Sequence, residues 1–407
     1  MEQVLKETLS HGGRGVVIVT GYHEIRAEFI ASIMKDDVVT FIGFFSQGLT
    51  KQEFESLLKT IESNQSHRNG ESISVAPGIC VELSFKGMKN GELTDTSFLS
   101  FTLDTDYQTC TIEKLILDNL PHREDVSITH PSKQYWSHVK KSDYISYLMH
   151  VSPFLLPMLK EKQLTVIRYP DGVDGESFYQ KNCPDYAPDF IQTSRHDDID
   201  YIVCNDLSTL VWLGNQGTIE FHIPFHTRRS TKPVEIVFDL DPPDEQSFHL
   251  VILAAKEIHA ILSSLKIVSF PKLTGSKGIQ IHIPIKGLTY EETRVFTSFV
   301  ADYLVEEHPS SFTVERLKRN RHGRLYVDFL QHAEGKTMIC PYSTRGKQNP
   351  TVAAPLFWEE VTDSLSPTSF TIETVLERIQ EKPCPFDKYY GEKNEPLNVI
   401  IDKLRER

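Results

Sequence analysis

The stretch that decides the predicted fold is PVEIVFDLD, residues 233–241, which has the composition of a buried strand and ends in two carboxylates. Pro242, Pro243 and Asp244 follow it and are typical helix-start residues. The next segment, FHLVILAAKEIHAILSSL at 248–265, has the apolar periodicity of a helix. A buried strand that leads through a carboxylate pair into a helix predicts an α/β catalytic domain.

The carboxylate pair is Asp239 and Asp241, which lie on one face of an extended strand while Leu240 lies on the other. Such oxygen ligands suit Mg²⁺ or Mn²⁺, and a two-metal site for phosphoryl transfer usually takes a further carboxylate. Asp328, the single acid in the strand-like run RLYVDFLQ, is the candidate third ligand. A helix-capping acidic loop and a solvent-facing strand acid are the alternatives.

Two further segments carry groups that bind phosphate. TGSKG, residues 274–278, lies on a turn between two β-runs, where backbone N–H groups, hydroxyls and an ammonium can surround phosphate oxygens. It is not a Walker A loop, and a plain hairpin is the alternative. In PYSTRGK, Arg345 and Lys347 occupy alternate positions and could clamp a triphosphate, unless they are two surface bases.

The composition is that of an ordinary globular protein of two or three domains, with 407 residues, 39% of them hydrophobic, and a net charge of −13. It excludes collagen, a disordered chain and a disulfide-stapled miniprotein. The most apolar stretch, 145–159, contains Pro153 and Pro157, so we expect no membrane span and a cytoplasmic protein. The six Cys form no C-x-x-C pair, which argues against a zinc site.

The acidic net charge argues against a nucleic-acid partner, but the basic residues are clustered. ERLKRNRHGR, residues 315–324, is the densest cluster, and Lys133 lies near Lys140 and Lys141. A solvated basic face is the alternative for each.

The pattern changes along the chain and predicts a domain order. Residues 1–115 contain short β-runs and one amphipathic helical stretch, which is typical of a small β-barrel. Residues 116–128 are a polar, Pro-containing linker. Residues 129–395 form the catalytic domain, and 396–407 a C-terminal tail.

The order of these motifs resembles the polymerase domain of bacterial ligase D, in the archaeo-eukaryotic primase superfamily. The resemblance covers residues 125–395, through ITHPSK, IRYPDGVDGESFYQKNCP, WLGNQGTIEFH, VFDLDPP and APLFWEEV. Residues 14–115 look like the OB-fold domain that follows the adenylation domain in ATP-dependent ligases. The fold class implied is an α/β primase-polymerase domain preceded by an all-β OB-like domain, as in a ligase D without its adenylation domain.

The resemblance implies template-directed addition of nucleotides, with a preference for ribonucleotides, at gaps and broken DNA ends in non-homologous end joining. The implied cofactors are two Mn²⁺ or Mg²⁺ ions, with NTP or dNTP as substrate. The implied partners are 5′-phosphorylated double-stranded DNA ends, Ku and a separate ligase chain, with no membrane and a location at the nucleoid.

The resemblance and the basic cluster together assign the site residues. The metal ligands and catalytic residues are Asp239, Asp241 and Asp328. The nucleotide-binding residues are His222, Thr274, Ser276, Lys277, Gln280, His282, Arg345 and Lys347. The DNA-binding residues are Lys133, Lys181, Arg316, Lys318, Arg319 and Arg321.

The chain departs from its relatives in two places. Gln280 stands where the family commonly has His, with His282 two residues further along. The K-x-D-G motif of ligases is absent. Ser100, Thr102 and Thr105 stand where the last motif of the ligase OB-fold domain would carry basic residues. We therefore expect no DNA ligase activity from this chain alone.

Two other functions fit parts of the pattern. A haloacid-dehalogenase-type phosphatase also ends a strand in FDLD, but prolines follow here in place of Gly-Thr, and no later paired acids supply its metal set. A DNA-end-bridging module with a vestigial polymerase site is the non-enzyme alternative.

Overall fold

The computed structural model describes residues 12–35, 38–89, 91–119 and 126–406. The chain divides into two compact units, Met1–Ser127 and Ile128–Arg407. The predicted linker, 116–128, lies partly outside the described residues. In the described residues no helix is long and apolar enough to cross a membrane.

The N-terminal unit is rich in strands, as its short β-runs predicted. Its strands are β1 Gly13–His23, β2 Glu28–Lys35, β3 Val38–Phe45, β4 Gln65–Arg68, β5 Ser72–Phe85, β6 Gly87–Lys89, β7 Glu92–Thr94 and β8 Ser97–Phe101. Its helices are α1 Lys51–Ser63 and α2 Ile112–Asp118. The main antiparallel sheet has the order β3-β2-β1-β5-β4, with β8 also paired to β5, which is compatible with an OB-like domain. Thr50 and Glu53 form a capping box that begins α1.

The C-terminal unit mixes helices and strands. Its strands are β9 Gln134–Trp136, β10 Val139–Lys140, β11 Thr165–Arg168, β12 Phe178–Gln180, β13 Thr193–His196, β14 Ile199–Ile202, β15 Thr218–Pro224, β16 Glu235–Asp241, β17 Phe270–Leu273, β18 Ile279–Pro284, β19 Phe312–Thr313, β20 Leu325–Asp328 and β21 Thr337–Ile339. Its helices are α3 Lys141–Leu159, α4 Leu207–Asn215, α5 Phe248–Ser264, α6 Tyr290–Glu307, α7 Ile372–Glu381 and α8 Pro396–Arg405.

Two sheets of this unit position the candidate site. One has the order β17-β18-β16-β20-β19, so the strand that carries the carboxylate pair lies in its middle. The other has the order β12-β11-β15-β21 and carries the EFH motif on β15. Apolar residues on one face of the first sheet pack with α5 and α6 in a common core, because that face is made of residues such as Phe238, Leu240 and Ile281.

The C-terminal segment differs from its prediction as a tail. Residues Pro396–Arg405 form a helix, with the proline in its first turn. Leu397 and Ile401, four residues apart, are buried in the same core as the central sheet. The many charged residues that suggest a tail lie on the exposed face of this amphipathic helix.

Candidate active site

A row of polar side chains crosses the central sheet from strand to strand. On β16, Asp239 pairs in register with Asp328 of β20 on one side and with Gln280 of β18 on the other. Gln280 in turn pairs with Lys272 of β17. Leu240 is fully buried on the opposite face, which confirms the predicted alternation around the carboxylate pair. The sheet therefore brings two of the three predicted ligands, Asp239 and Asp328, into neighbouring positions on one face. The third, Asp241, lies two residues further along β16.

Contacts along this row hold Asp239 in place. Gln280 Nε2 donates a hydrogen bond to Asp239 Oδ1 over 3.0 Å. Lys272 is fully buried, and its Nζ donates to the carbonyl oxygen of Ile339 over 2.5 Å. Lys272 was not among the predicted site residues, although it lies on β17 only two residues before the TGSKG turn. The carboxylates thus have a buried ammonium in their own row.

The electrostatics of the row resist full ionisation of the acids. Burial raises the pKa of Asp239 to about 7, with the charges of Asp241 and Asp328 adding to the effect and the bond from Gln280 opposing it. Burial likewise lowers the pKa of Lys272 to about 8. Carboxylates gathered without enough positive charge are stabilised by a cation.

The carboxylates of Asp239, Asp241 and Asp328 suit a divalent metal ion that also binds the substrate. Carboxylate oxygens are hard ligands of the kind that Mg²⁺ and Mn²⁺ take. Within the part of the chain that the structure describes, no group of three or more His, Cys, Asp or Glu side chains is arranged to hold a metal ion. Mg²⁺ usually binds one or two carboxylates, with substrate phosphates and water as further ligands, so an incomplete protein site suits it.

The TGSKG turn lies beside the carboxylate pair, between β17 and β18. A Cβ on Gly278 would lie 2.8 Å from Asp241 Oδ1 and 2.3 Å from the carbonyl oxygen of Leu240, so only glycine fits there. Thr274 Oγ1 accepts hydrogen bonds from the backbone N–H groups of Ser276 (3.3 Å) and Gly278 (3.2 Å). The hydroxyl of Thr274 therefore shapes the turn itself.

Two lysines connect this turn to its surroundings. Lys277 Nζ lies 3.4 Å from Asp241 Oδ2, and both side chains are partly exposed. Lys347 Nζ donates to the carbonyl oxygen of Ser276 over 3.1 Å. The structure thus brings the predicted phosphate-binding groups of both segments to the edge of the carboxylate face.

Glu220 contacts two further predicted nucleotide-binding residues. Its carboxylate lies 3.1 Å from His222 Nε2 and 3.5 Å from Arg345 Nη1, and it accepts a 2.9 Å hydrogen bond from the backbone N–H of Gly346. Sequence analysis missed this residue. Its position two residues before His222 on a strand was the signal that could have found it.

His282, a predicted nucleotide contact, lies apart from Asp239 and Asp328. It lies on the same face of β18 as Gln280, but its partner in register is Val237, two residues before Asp239 on β16. Its side chain is 1% exposed, and its Nδ1 lies 2.7 Å from the buried carboxylate of Glu235. Tyr389 donates to the same carboxylate over 2.6 Å. His282 is therefore part of a buried polar network.

The two lysines predicted to bind DNA lie at opposite ends of a strand pair. Lys133 Nζ donates to the carbonyl oxygen of Pro170 and to Asp171, just beyond the end of β11. Lys181 is exposed and follows β12, whose last residue pairs near the start of β11. The ammonium of Lys133 and the backbone of Lys181 therefore lie beyond opposite ends of β11.

Lys141 is the lysine that lies near Lys133. The two residues are joined by a hydrogen bond from the backbone N–H of Lys141 to the carbonyl oxygen of Lys133. Burial and, to a smaller extent, the charge of Lys133 together lower the pKa of the Lys141 ammonium to about 8. Lys141 is also the first residue of α3, whose N-terminal N–H groups attract anions.

The basic cluster at 315–324 flanks the carboxylate face. Arg321 stacks 4.1 Å from the ring centre of Tyr326, which pairs in register with Asp241. Arg321 also donates to the backbone carbonyls of Glu315 and Arg316, so it holds the segment together. Among the Arg and Lys side chains of this segment, those of Arg316, Lys318 and Arg319 are exposed.

Comparisons with known proteins match this architecture. The model of the LigD primase-polymerase domain matches residues 140–386. The chain is 43% identical over 396 residues to the bifunctional non-homologous end joining protein LigD of Bacillus subtilis (strain 168), covering 96% of this chain and 65% of that protein. It is 29% identical over 294 residues to the multifunctional LigD of Mycolicibacterium smegmatis, covering 69% of this chain and 37% of that protein. The chain thus spans less than two thirds of the length of these relatives.

A solved structure is also similar. The polymerase domain of Mycobacterium tuberculosis ligase D, determined in complex with DNA, superposes with a TM-score of 0.61 at 27% identity. The match covers 66% of this chain and 99% of that one. The predicted primase-polymerase fold class is confirmed.

Proposed function

This chain belongs to the LigD primase-polymerase family, and we propose on that basis that it is a metal-dependent nucleotidyltransferase acting at DNA ends. Its reaction is the template-directed addition of nucleotides, preferentially ribonucleotides, at gaps and double-strand breaks. The observation that carries the proposal is the row of Asp328, Asp239 and Gln280 across the central sheet, with Asp241 beside the TGSKG turn.

The carboxylates are the proposed metal ligands. Asp239, Asp241 and Asp328 would hold Mn²⁺ or Mg²⁺, which when bound supplies positive charge to the triphosphate and to the attacking 3′-oxygen. Gln280 orients Asp239 through its amide, where a histidine is common in the family. An amide keeps this hydrogen bond without adding a titratable group to the row.

The nucleotide triphosphate is proposed to lie between the turn and the loop that follows β21. Lys277 and Lys347 lie beside the turn, and Arg345 and His222 both contact the carboxylate of Glu220. These cations can receive the phosphate oxygens, because charge-assisted hydrogen bonds of this type are strong. Thr274 and Ser276 keep the turn in shape and offer hydroxyl groups at its surface.

The DNA end is proposed to bind through two basic regions. Lys133 and Lys141, at the N-terminus of α3, are the proposed contact for a terminal 5′-phosphate, a dianion that would compete with Asp171 for Lys133. Arg316, Lys318 and Arg319 are proposed to hold the duplex by charge alone, and Lys181 to contribute a peripheral backbone contact.

We propose that this activity serves non-homologous end joining, with Ku and a ligase chain as partners. The relatives named for that pathway are longer than this chain, and the K-x-D-G motif is absent from the present sequence. These 407 residues would therefore fill gaps, and sealing the nick would need an adenylation domain that they do not contain.

Single-nucleotide addition to a gapped, 5′-phosphorylated duplex tests the proposal. The wild type should extend the primer in Mn²⁺, and Asp239→Asn and Asp328→Asn should lose at least about a hundredfold in rate. Asp363→Asn, at an exposed aspartate outside the row, is the matched control and should keep the wild-type rate. Variants as active as the wild type would contradict the assignment, and a wild type that binds ends without extending them would favour the end-bridging module.

A further inference from the structure

Glu220 is a buried carboxylate that no proposed step uses, yet it contacts two proposed phosphate-binding groups, His222 and Arg345. Only 4% of the residue is exposed. It accepts a hydrogen bond from the backbone N–H of Gly346 on Oε1, and the imidazole of His222 and the guanidinium of Arg345 lie near Oε2. A buried carboxylate with donors on both oxygens fixes the orientation of those donors.

The negative charge of the Glu220 carboxylate is stabilised by its neighbours. Burial by itself raises the pKa of Glu220, but the hydrogen bond from His222, the charge of Arg345 and the Gly346 N–H outweigh it and leave the pKa below its ordinary value. Glu220 is therefore an anion at neutral pH, and it holds the Arg345 guanidinium through its negative charge.

The loop that carries Arg345 is held from other sides as well. Trp136 Nε1 donates to the carbonyl oxygen of Lys347 over 2.9 Å. A Cβ on Gly346 would lie 2.1 Å from the hydroxyl oxygen of Tyr169, so the loop packs tightly against that ring. These contacts fix the backbone of the loop, whereas the direction of the Arg345 guanidinium depends on Glu220.

Arg345 still has an unused donor. Its Nε is buried and has no hydrogen-bond partner among the described residues. A buried N–H without a partner is costly, so such a group usually has an acceptor in the working state. An oxygen of a bound phosphate is an acceptor of the right charge.

We propose that Glu220 is a positioning residue that orients Arg345 and His222 toward the triphosphate of the incoming nucleotide. This inference rests on the proposed function, because it concerns the same nucleotide site. Glu220 touches neither the substrate nor the metal in this account. Its effect is to have the guanidinium and the imidazole in place before the nucleotide arrives, which lowers the entropy lost on binding.

Glu220→Gln tests the proposal, because the amide oxygen can still accept from Gly346 while the negative charge is lost. We expect the KM for the nucleotide to rise roughly tenfold and kcat to change less than about twofold, since the lost interaction acts on binding. The affinity for gapped DNA should stay unchanged. The affinity for inorganic tripolyphosphate, measured by calorimetry without metal, should fall by a similar factor.

Glu161→Gln is the matched control. Glu161 is also a carboxylate that pairs with arginines, Arg228 and Arg229; it is only partly buried, and none of its partners belongs to the proposed site. If both variants lower thermal stability alike and neither changes the KM or tripolyphosphate binding, Glu220 has a structural role only and the inference is wrong. If the wild type does not extend primers at all, the proposed function fails. An active wild type with an unchanged KM in Glu220→Gln overturns this inference alone.

Discussion

Replacing Asp239 by Asn should stabilise the metal-free C-terminal unit while removing any activity that needs the carboxylate. Burial, with the charge of Asp241, raises the pKa of Asp239 from 3.8 to about 7. At pH 8 the folded protein must therefore keep an anion in a place that disfavours it, whereas the unfolded chain exposes it to water. Asn has nearly the same shape, and its carbonyl oxygen can accept the hydrogen bond from Gln280.

The size of the gain follows from the shift in pKa. A rise from 3.8 to about 7 corresponds to about 4 kcal/mol, which is an upper bound. Because Asp239 is partly exposed, we expect about 2 kcal/mol at pH 8. The folded protein binds the proton more tightly than the unfolded chain, so the stability that this group contributes is full below about pH 4 and is lost as the pH rises through 7. The gain from the substitution should therefore be largest at pH 8 and small at pH 4.

Urea unfolding followed by tryptophan fluorescence in EDTA measures this gain. Trp136, Trp212 and Trp358 all lie in the C-terminal unit, so the signal reports that unit alone. Asp363→Asn is the control and should change the free energy of unfolding by less than about 0.5 kcal/mol. The reasoning would be refuted by an Asp239→Asn variant that is no more stable than the wild type at pH 8, or by a gain that is equal at pH 4 and pH 8.

Three further outcomes are expected. Leu397→Ala should lower the free energy of unfolding of the C-terminal unit by about 3 kcal/mol in the same fluorescence assay, because its side chain is fully buried, while exposed Val399→Ala should cost under about 0.5 kcal/mol. Lys141→Ala should remove most of the preference for 5′-phosphorylated over 5′-hydroxyl gaps in titrations at fixed salt, whereas Lys181→Ala should keep it; equal losses would contradict the assignment to the start of α3. Incubation with radiolabelled ATP and Mg²⁺ should leave no covalent adduct on a denaturing gel, because the chain lacks the K-x-D-G lysine that would carry AMP.

Features set by neighbouring residues could be predicted from the sequence. The alternation of Asp239, Leu240 and Asp241 follows from the two-residue period of a strand, and the turn at Thr274 follows from its two glycines. The capping box of Thr50 and Glu53 is equally local. The order of the motifs also indicated the family, because that order belongs to the chain itself.

Features that depend on distant segments could not be predicted in this way. Period-two alternation placed Gln280 and His282 on one face, but only the register with β16 shows that one bonds Asp239 and the other pairs with a buried Glu235. Likewise, nothing in the local sequence separates Lys141, which lies beside Lys133, from the distant Lys181.

The sequence by itself therefore determined the strand faces, the turn and the chemical groups available for phosphate and metal. Only the tertiary structure decided which of these groups meet. Glu220 and Gly346 are 126 residues apart in the chain, yet their atoms lie 2.9 Å from each other. The physical reason is that side-chain direction is a local property of the backbone, whereas partners and burial depend on the register between strands and on the way the sheets and helices pack around a common core.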